Sequence, residues 1–252
     1  MNQPGSPAWK PGVLLAIVVS SALAVWALDP IEQNLSYHAF ADTRTLFGIP
    51  NGLDVLSNLP FLIVGVLGLR ACAVAAPDPI RHAWMALFAG VALVSLGSAY
   101  YHWSPTNDSL VFDRLPMSAG FMALFVALLG EAVDRRLVRW GLVPALLLGM
   151  ASVVYWAMFD DLRPYLWVQI IPLLTIPVVM LLYRGRLAHG WWLAAALGLY
   201  LLAKGAELLD AQVYALTLEL SSGHTLKHLL AAAGCYCLVL IQRGRGRPLQ
   251  PI

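Results

Sequence analysis

Charge is what this 252-residue chain has least of: Asp, Glu, Lys and Arg together make up 12%, where a soluble globular domain carries about 25%. With 60% hydrophobic residues and a mean hydropathy of +0.71, the bilayer is the solvent for most of the chain. Cysteine is sparse too. Cys72, Cys235 and Cys237 form no C-x-x-C pair and lie in or beside apolar runs. They read as small core residues, not as disulfides or metal ligands. No basic stretch interleaved with aromatics is present, so nothing points to nucleic acid as a partner. The formal net charge of +2 decides little, because in a membrane chain the position of each charge carries the information.

Long apolar runs are what the chain does have. Stretches of spanning length, about 17–25 residues, fall near 12–28, 54–76, 83–102, 114–133, 138–158, 163–183, 190–210 and 223–241. Their short connections leave no room for a separate soluble domain. The reading is an all-α integral membrane protein with about eight spans. It divides into a tail and first helix over 1–28, a helical domain over 29–241 and a basic tail over 242–252. The first run follows Lys10 and contains Ala22-Leu23-Ala24, so an anchor helix and a cleaved signal peptide both fit it.

Basic residues alternate from loop to loop. Arg70 and Arg81, then Arg135, Arg136 and Arg139, then Arg184 and Arg186 share one side, with Lys10, Arg243, Arg245 and Arg247. The opposite loops hold Arg44, Arg114 and Arg163 and collect the acids Asp29, Glu32, Asp42, Asp108, Asp160 and Asp161. The positive-inside rule then makes both termini cytoplasmic. It also sends Ser98, His102, Asp113, His224 and His228 to one face, the outer one.

Those five residues carry the chemistry. Spacing of i, i+4 puts Ser98 with His102 on one helix face and His224 with His228 on another. Three imidazoles with one open position make a catalytic zinc site, where bound water has its pKa lowered to about 7. Asp113 is placed to serve as general base and then return the proton to a leaving amine, and Ser98 to donate to a developing oxyanion. Each motif alone has a plainer reading: paired histidines at an interface, a serine bonded to its own helix, and Asp113 as the N-cap of a helix opening Arg114-Leu115-Pro116. Ionisable groups in spans are costly and functional by default, and the joint pattern favours the metal.

Lys204, Glu207 and Asp210 fall near the level of the histidines. They read either as a self-neutralising Lys204–Glu207 pair or as a carboxylate that orients a ligand imidazole through its other nitrogen. Lys227 reads as snorkelling to the headgroups. Tyr165 reads as an aromatic-belt residue or a further oxyanion donor.

The stretch Gly97-Ser98-Ala99-Tyr100-Tyr101-His102, then Asp113, then His224-Thr225-Leu226-Lys227-His228, resembles the alkaline ceramidase family. That family lies within a superfamily of seven-helix membrane hydrolases and adiponectin-type receptors. Asp29-Pro30-Ile31-Glu32-Gln33-Asn34 resembles its D-x-x-E-x-N calcium segment, and Ser57-Asn58 an S-N pair in its first core helix. The resemblance covers about residues 29–241. It implies a seven-helix bundle plus one extra N-terminal helix, and zinc on His102, His224 and His228. It makes Asp113 the acid/base, places Ser98 near the oxyanion and implies hydrolysis of a ceramide-like lipid amide to a sphingoid base and a fatty acid. It also implies calcium on Asp29, Glu32, Asn34 and Asn51. Two departures bear on that calcium: Pro30 stands where the family usually has Trp, and neutral Asn51 replaces an acid, which weakens a site wanting about six to eight oxygens. Asp29 and Glu32 read equally as a solvated loop. Asn58, Glu207, Asp210 and Tyr165 are expected around the ligands. The expected location is a bacterial inner membrane with the site towards the periplasm. An ester lipase of the same superfamily, or a lipid-binding receptor with structural zinc, would use the same residues.

Overall fold

The computed structural model describes residues 7, 9–75, 77–184, 186–187 and 190–245. Among these residues the chain is helical throughout, without a named strand: α1 (Trp9–Trp26), α2 (Gly52–Leu56), α3 (Leu59–Val74), α4 (Ile80–Trp103), α5 (Asn107–Ala132), α6 (Arg136–Phe159), α7 (Arg163–Leu182), α8 (Gly190–Leu208), α9 (Asp210–Leu216) and α10 (Gly223–Arg245). Among the described residues seven helices are long and apolar enough to cross a membrane, and an eighth span results if the bent pair α8–α9 counts as one. Lipid offers no partner for backbone N–H and C=O groups, so a chain this apolar satisfies them within helices. The protein is a multi-pass all-α membrane bundle.

The helices pack in order around α4, which lies against α3 and α5; α10 closes the ring against α8 and α3. The core runs through Trp84, Phe88, Leu128, Val168, Leu193 and Val239. The first helix stands apart. It packs on α7 and buries only Leu14 among its own residues. Lys10 Nζ donates to the Leu182 carbonyl at 2.7 Å, and the Trp167 indole donates to Ser21 at 3.1 Å. It is an added helix, with the other spans forming the bundle.

Several boundaries differ from the apolar runs, each for a local reason. The helix expected from 114 begins at Asn107. Thr106 caps it, its side chain accepting from Ser109 N while Ser109 Oγ accepts from Thr106 N, a reciprocal box that satisfies two otherwise free donors. Asp113 therefore lies in the second turn and is not the N-cap. The run 190–210 breaks after Leu208, and α9 leaves at 86°. The last helix continues past 241 to Arg245; Arg247, in the basic tail, lies outside the described residues.

Two glycines bring the functional segments together. A Cβ on Gly97 would lie 2.0 Å from the Phe112 carbonyl oxygen, so only glycine lets α4 touch α5 beside Ser98 and Asp113. A Cβ on Gly223 would lie 2.1 Å from the Ala206 oxygen and 2.7 Å from Asp210 Cα. The start of α10 thus nests in the α8–α9 bend, immediately before His224. Small residues allowing such backbone approach are the usual means of packing helices in lipid.

Candidate metal centre and its cavity

His102, near the end of α4, meets His224 and His228 from the first turns of α10. All three are buried, and one ring nitrogen from each lies within 4.8 Å of the others. Among the described residues this is the group of His, Cys and carboxylate side chains able to hold a metal ion. The Nε2 atoms of His102 and His224 are 3.2 Å apart. Lys227 Nζ lies 2.9 Å from His224 Nε2. Three buried imidazoles that each bring a ring nitrogen to a common point form a donor set that fits a metal.

The supports around the histidines are specific. Ser57 Oγ is 2.7 Å from His228 Nδ1, which fixes the ring and leaves Nε2 as the ligating atom. Asn51 Nδ2 donates to the His102 carbonyl at 2.8 Å. Asp210 holds backbone, not imidazole: Oδ1 accepts from His224 N at 2.7 Å and Oδ2 from Ala41 N at 2.9 Å. Phe40 packs at a tilt against both His102 and His224, with ring centroids 4.7 Å away in each case.

Asp54 is the residue that reading the sequence missed. Fully buried within α2, it accepts from Thr225 Oγ1 at 2.6 Å, while its backbone oxygen accepts from Ser57 Oγ at 3.0 Å and Asn58 Nδ2 at 2.7 Å. It ties the Ser57-Asn58 turn to the start of α10. The signal was present, since Asp54 is an acid at the head of an apolar run. It looked like a boundary because α2 was read as the start of one continuous helix.

Ser98 and Asp113 face each other across the α4–α5 contact, the hydroxyl beside the carboxyl. Asp113 Oδ1 has no hydrogen-bond partner among the described residues. Ser98, Asp113 and His228 line a cavity of about 550 Å³. Its deeper wall is apolar, with Leu87, Val91, Leu124, Ile176, Leu193 and Leu238. Its other end is polar and includes Tyr37, Tyr165, Lys204 and Glu207.

Glu207 pairs with Lys204 and, at 2.9 Å, with Lys227, and accepts from Tyr37 at 3.2 Å. Lys227 is thus turned inwards by a fixed anion and does not snorkel outwards. Tyr165 is buried and its hydroxyl accepts from Gln169 at 2.7 Å. Asn58 is buried with Oδ1 unpartnered among the described residues.

The 29–34 segment lies against the junction between α6 and α7. Asp160 Oδ1 accepts from Gln33 N at 3.0 Å, and Leu162 N donates to the Ile31 carbonyl at 2.8 Å. Asn34 caps the short 3-10 turn Leu35–His38 through Ser36 N. Asp29 and Glu32 are exposed. Asn51, from the loop before α2, engages the His102 carbonyl through its Nδ2. Nearby, hydrogen bonds from Arg163 hold the Asp161 carboxyl below its usual range, and those from Arg44 do the same for Asp42.

No protein-family model matches this chain, and no curated protein matches it.

Proposed function

We propose that the protein is a zinc-dependent integral-membrane hydrolase that cleaves the amide of a ceramide-like lipid, releasing a sphingoid base and a fatty acid. The observation that carries this reading is the shared cavity: Asp113 with its free carboxylate oxygen, the Ser98 hydroxyl and His228, one member of the three-histidine centre, line one space with an apolar depth. A lipid tail suits that depth, and its polar linkage then lies beside the histidines.

His102, His224 and His228 would hold the metal. Zinc bound there supplies an acidified water and polarises the carbonyl. The remaining work falls to the chain. Asp113 Oδ1 accepts a proton from water as its oxygen bonds to the amide carbon. The same oxygen then delivers that proton to nitrogen as the C–N bond breaks, so acid and amine balance. Ser98 Oγ is positioned to donate to the oxygen that gains charge. Ser57 holds His228, and Phe40 shields two of the rings from water. Calcium at Asp29, Glu32, Asn34 and Asn51 is a further proposal.

The test is hydrolysis of a fluorescent ceramide by purified protein, before and after chelation and with zinc restored. Turnover lost on chelation and recovered with zinc supports the reading. Zinc-independent turnover, or none on any amide or ester lipid, overturns it; cleavage confined to phospholipid esters moves the assignment to an ester lipase. The distribution of basic loops supports an orientation with both termini in the cytoplasm, and the site would then face the periplasm if the membrane is a bacterial inner membrane. A reporter fused to the C-terminus should therefore be active only if it functions in the cytoplasm.

A further inference from the structure

Arg114 is a buried cation for which hydrolysis of a neutral amide has no use. It follows Asp113 on α5, is 5% exposed and lines the polar end of the cavity. Trp156, Tyr165 and Tyr37 surround its guanidinium with ring centroids at 4.1, 4.7 and 5.7 Å. Nη2 donates to Gln33 Oε1 at 2.7 Å, and Nη1 has no acceptor among the described residues. Nor does any carboxylate there form an ion pair with Arg114. Asp113, its chain neighbour, feels its charge but forms no ion pair with it, and Glu207, on the same cavity wall, is committed to two lysines.

Arginine cannot discard its charge. Aromatic rings offset part of the burial cost of a cation, but they offer no in-plane acceptor to its N–H groups. A planar fork of this kind matches a carboxylate or a phosphate. Two further cations, Lys204 and Lys227, share the same cavity wall.

We propose that Arg114 recognises an oxyanion on the lipid, so that the preferred substrate is an acyl amide whose polar end carries a carboxylate or a phosphate. This rests on the reading of the cavity as a lipid substrate site. The apolar depth takes the acyl chain, the amide lies at Asp113 and Ser98, and the charged headgroup reaches Arg114 inside its aromatic box. Gln33 holds the guanidinium in place from the 29–34 segment.

Binding is measured apart from turnover, by titration calorimetry on the full-length protein in neutral detergent. The probes are N-lauroylglycine and dodecyl phosphate as anions and N-lauroylethanolamine as the neutral comparator. The wild-type chain should bind at least one of the anions at least about tenfold more tightly than the neutral amide, and the stronger anion shows whether carboxylate or phosphate is preferred. Arg114→Gln should reduce the discrimination to about twofold, and Arg114→Lys, which keeps charge without the fork, should retain part of it. Equal binding of all three probes by the wild-type chain overturns the proposal without recourse to any variant. Discrimination unchanged in a folded Arg114→Gln protein overturns it as well. Hydrolysis of the two lauroyl amides is then assayed separately. Anion-selective binding with neither amide cleaved upholds the role of Arg114 and removes the hydrolase reading.

Discussion

Asp113 and Ser57 show how much a single atom's surroundings decide. Asp113 Oδ1 has no partner among the described residues, so Asp113→Asn removes a basic oxygen while preserving shape. The substitution should lower turnover by about 10²–10⁴-fold, with zinc content by metal analysis still one per chain. A structural-zinc receptor has no turnover to lose. Ser57 acts through His228, from 2.7 Å. Ser57→Ala should weaken metal binding by about 10–100-fold in a chelator competition, a readout that needs no substrate. The histidine pairs and Asp113 were recognisable as chemistry from residue type and spacing. Ser57 was visible only as half of a familiar dipeptide, and Asp54 passed for a helix boundary, because their partners on α10, His228 and Thr225, each lie 171 positions away.

At the scale of elements, the site is held by close helix contacts and by one docked segment. Gly97→Ala forces a methyl against the Phe112 carbonyl and should destabilise the bundle by about 1–3 kcal/mol. Thermal unfolding in detergent should show a lower midpoint together with reduced metal retention, since Ser98 and His102 ride on the same helix. The 29–34 segment depends in part on Asp161, whose Oδ1 accepts from the Ile31 amide at 3.4 Å and from Arg163. Its carboxyl titrates below the ordinary range in the folded protein. Stabilisation from such a group is present above its unfolded pKa of about 3.9 and is lost as pH falls through the lower folded value. Hydrogen-exchange protection of the Ile31 amide, corrected for intrinsic rate, should thus hold steady from pH 7 to 5 and decline only below about pH 4. The segment's sequence suggested a calcium loop, yet its observed anchors are Asp160, Asp161 and Leu162, residues that belong to another helix junction.

For the whole molecule, the convergence of these residues on one face, argued from alternating loop charges, agrees with the clustering of His102, His224 and His228 in space. The bundle encloses a cavity that no local pattern announces. Every span contributes apolar residues all round, so periodicity could not distinguish a lipid-facing Leu from one lining the interior. Leu93 and Leu96 are exposed while Leu87 and Val91 of the same helix are buried, a division created only when α3 and α5 pack against α4. The peripheral place of α1 and the 86° turn after Leu208 likewise depend on neighbours.

Apolar length and residue type were enough to determine a helical membrane protein, the approximate spans, and a candidate set of three histidines, an aspartate and a serine. Those are properties of single residues and short spacings, and lipid leaves the backbone little choice but helix. Tertiary structure decided what surrounds them: Ser57 on His228, Lys227 drawn inwards to Glu207, Asn51 on the His102 carbonyl, and Arg114 boxed by aromatics without an anion. Each of these joins positions far apart in the chain. Such contacts are set by packing distance, which no reading along one dimension contains.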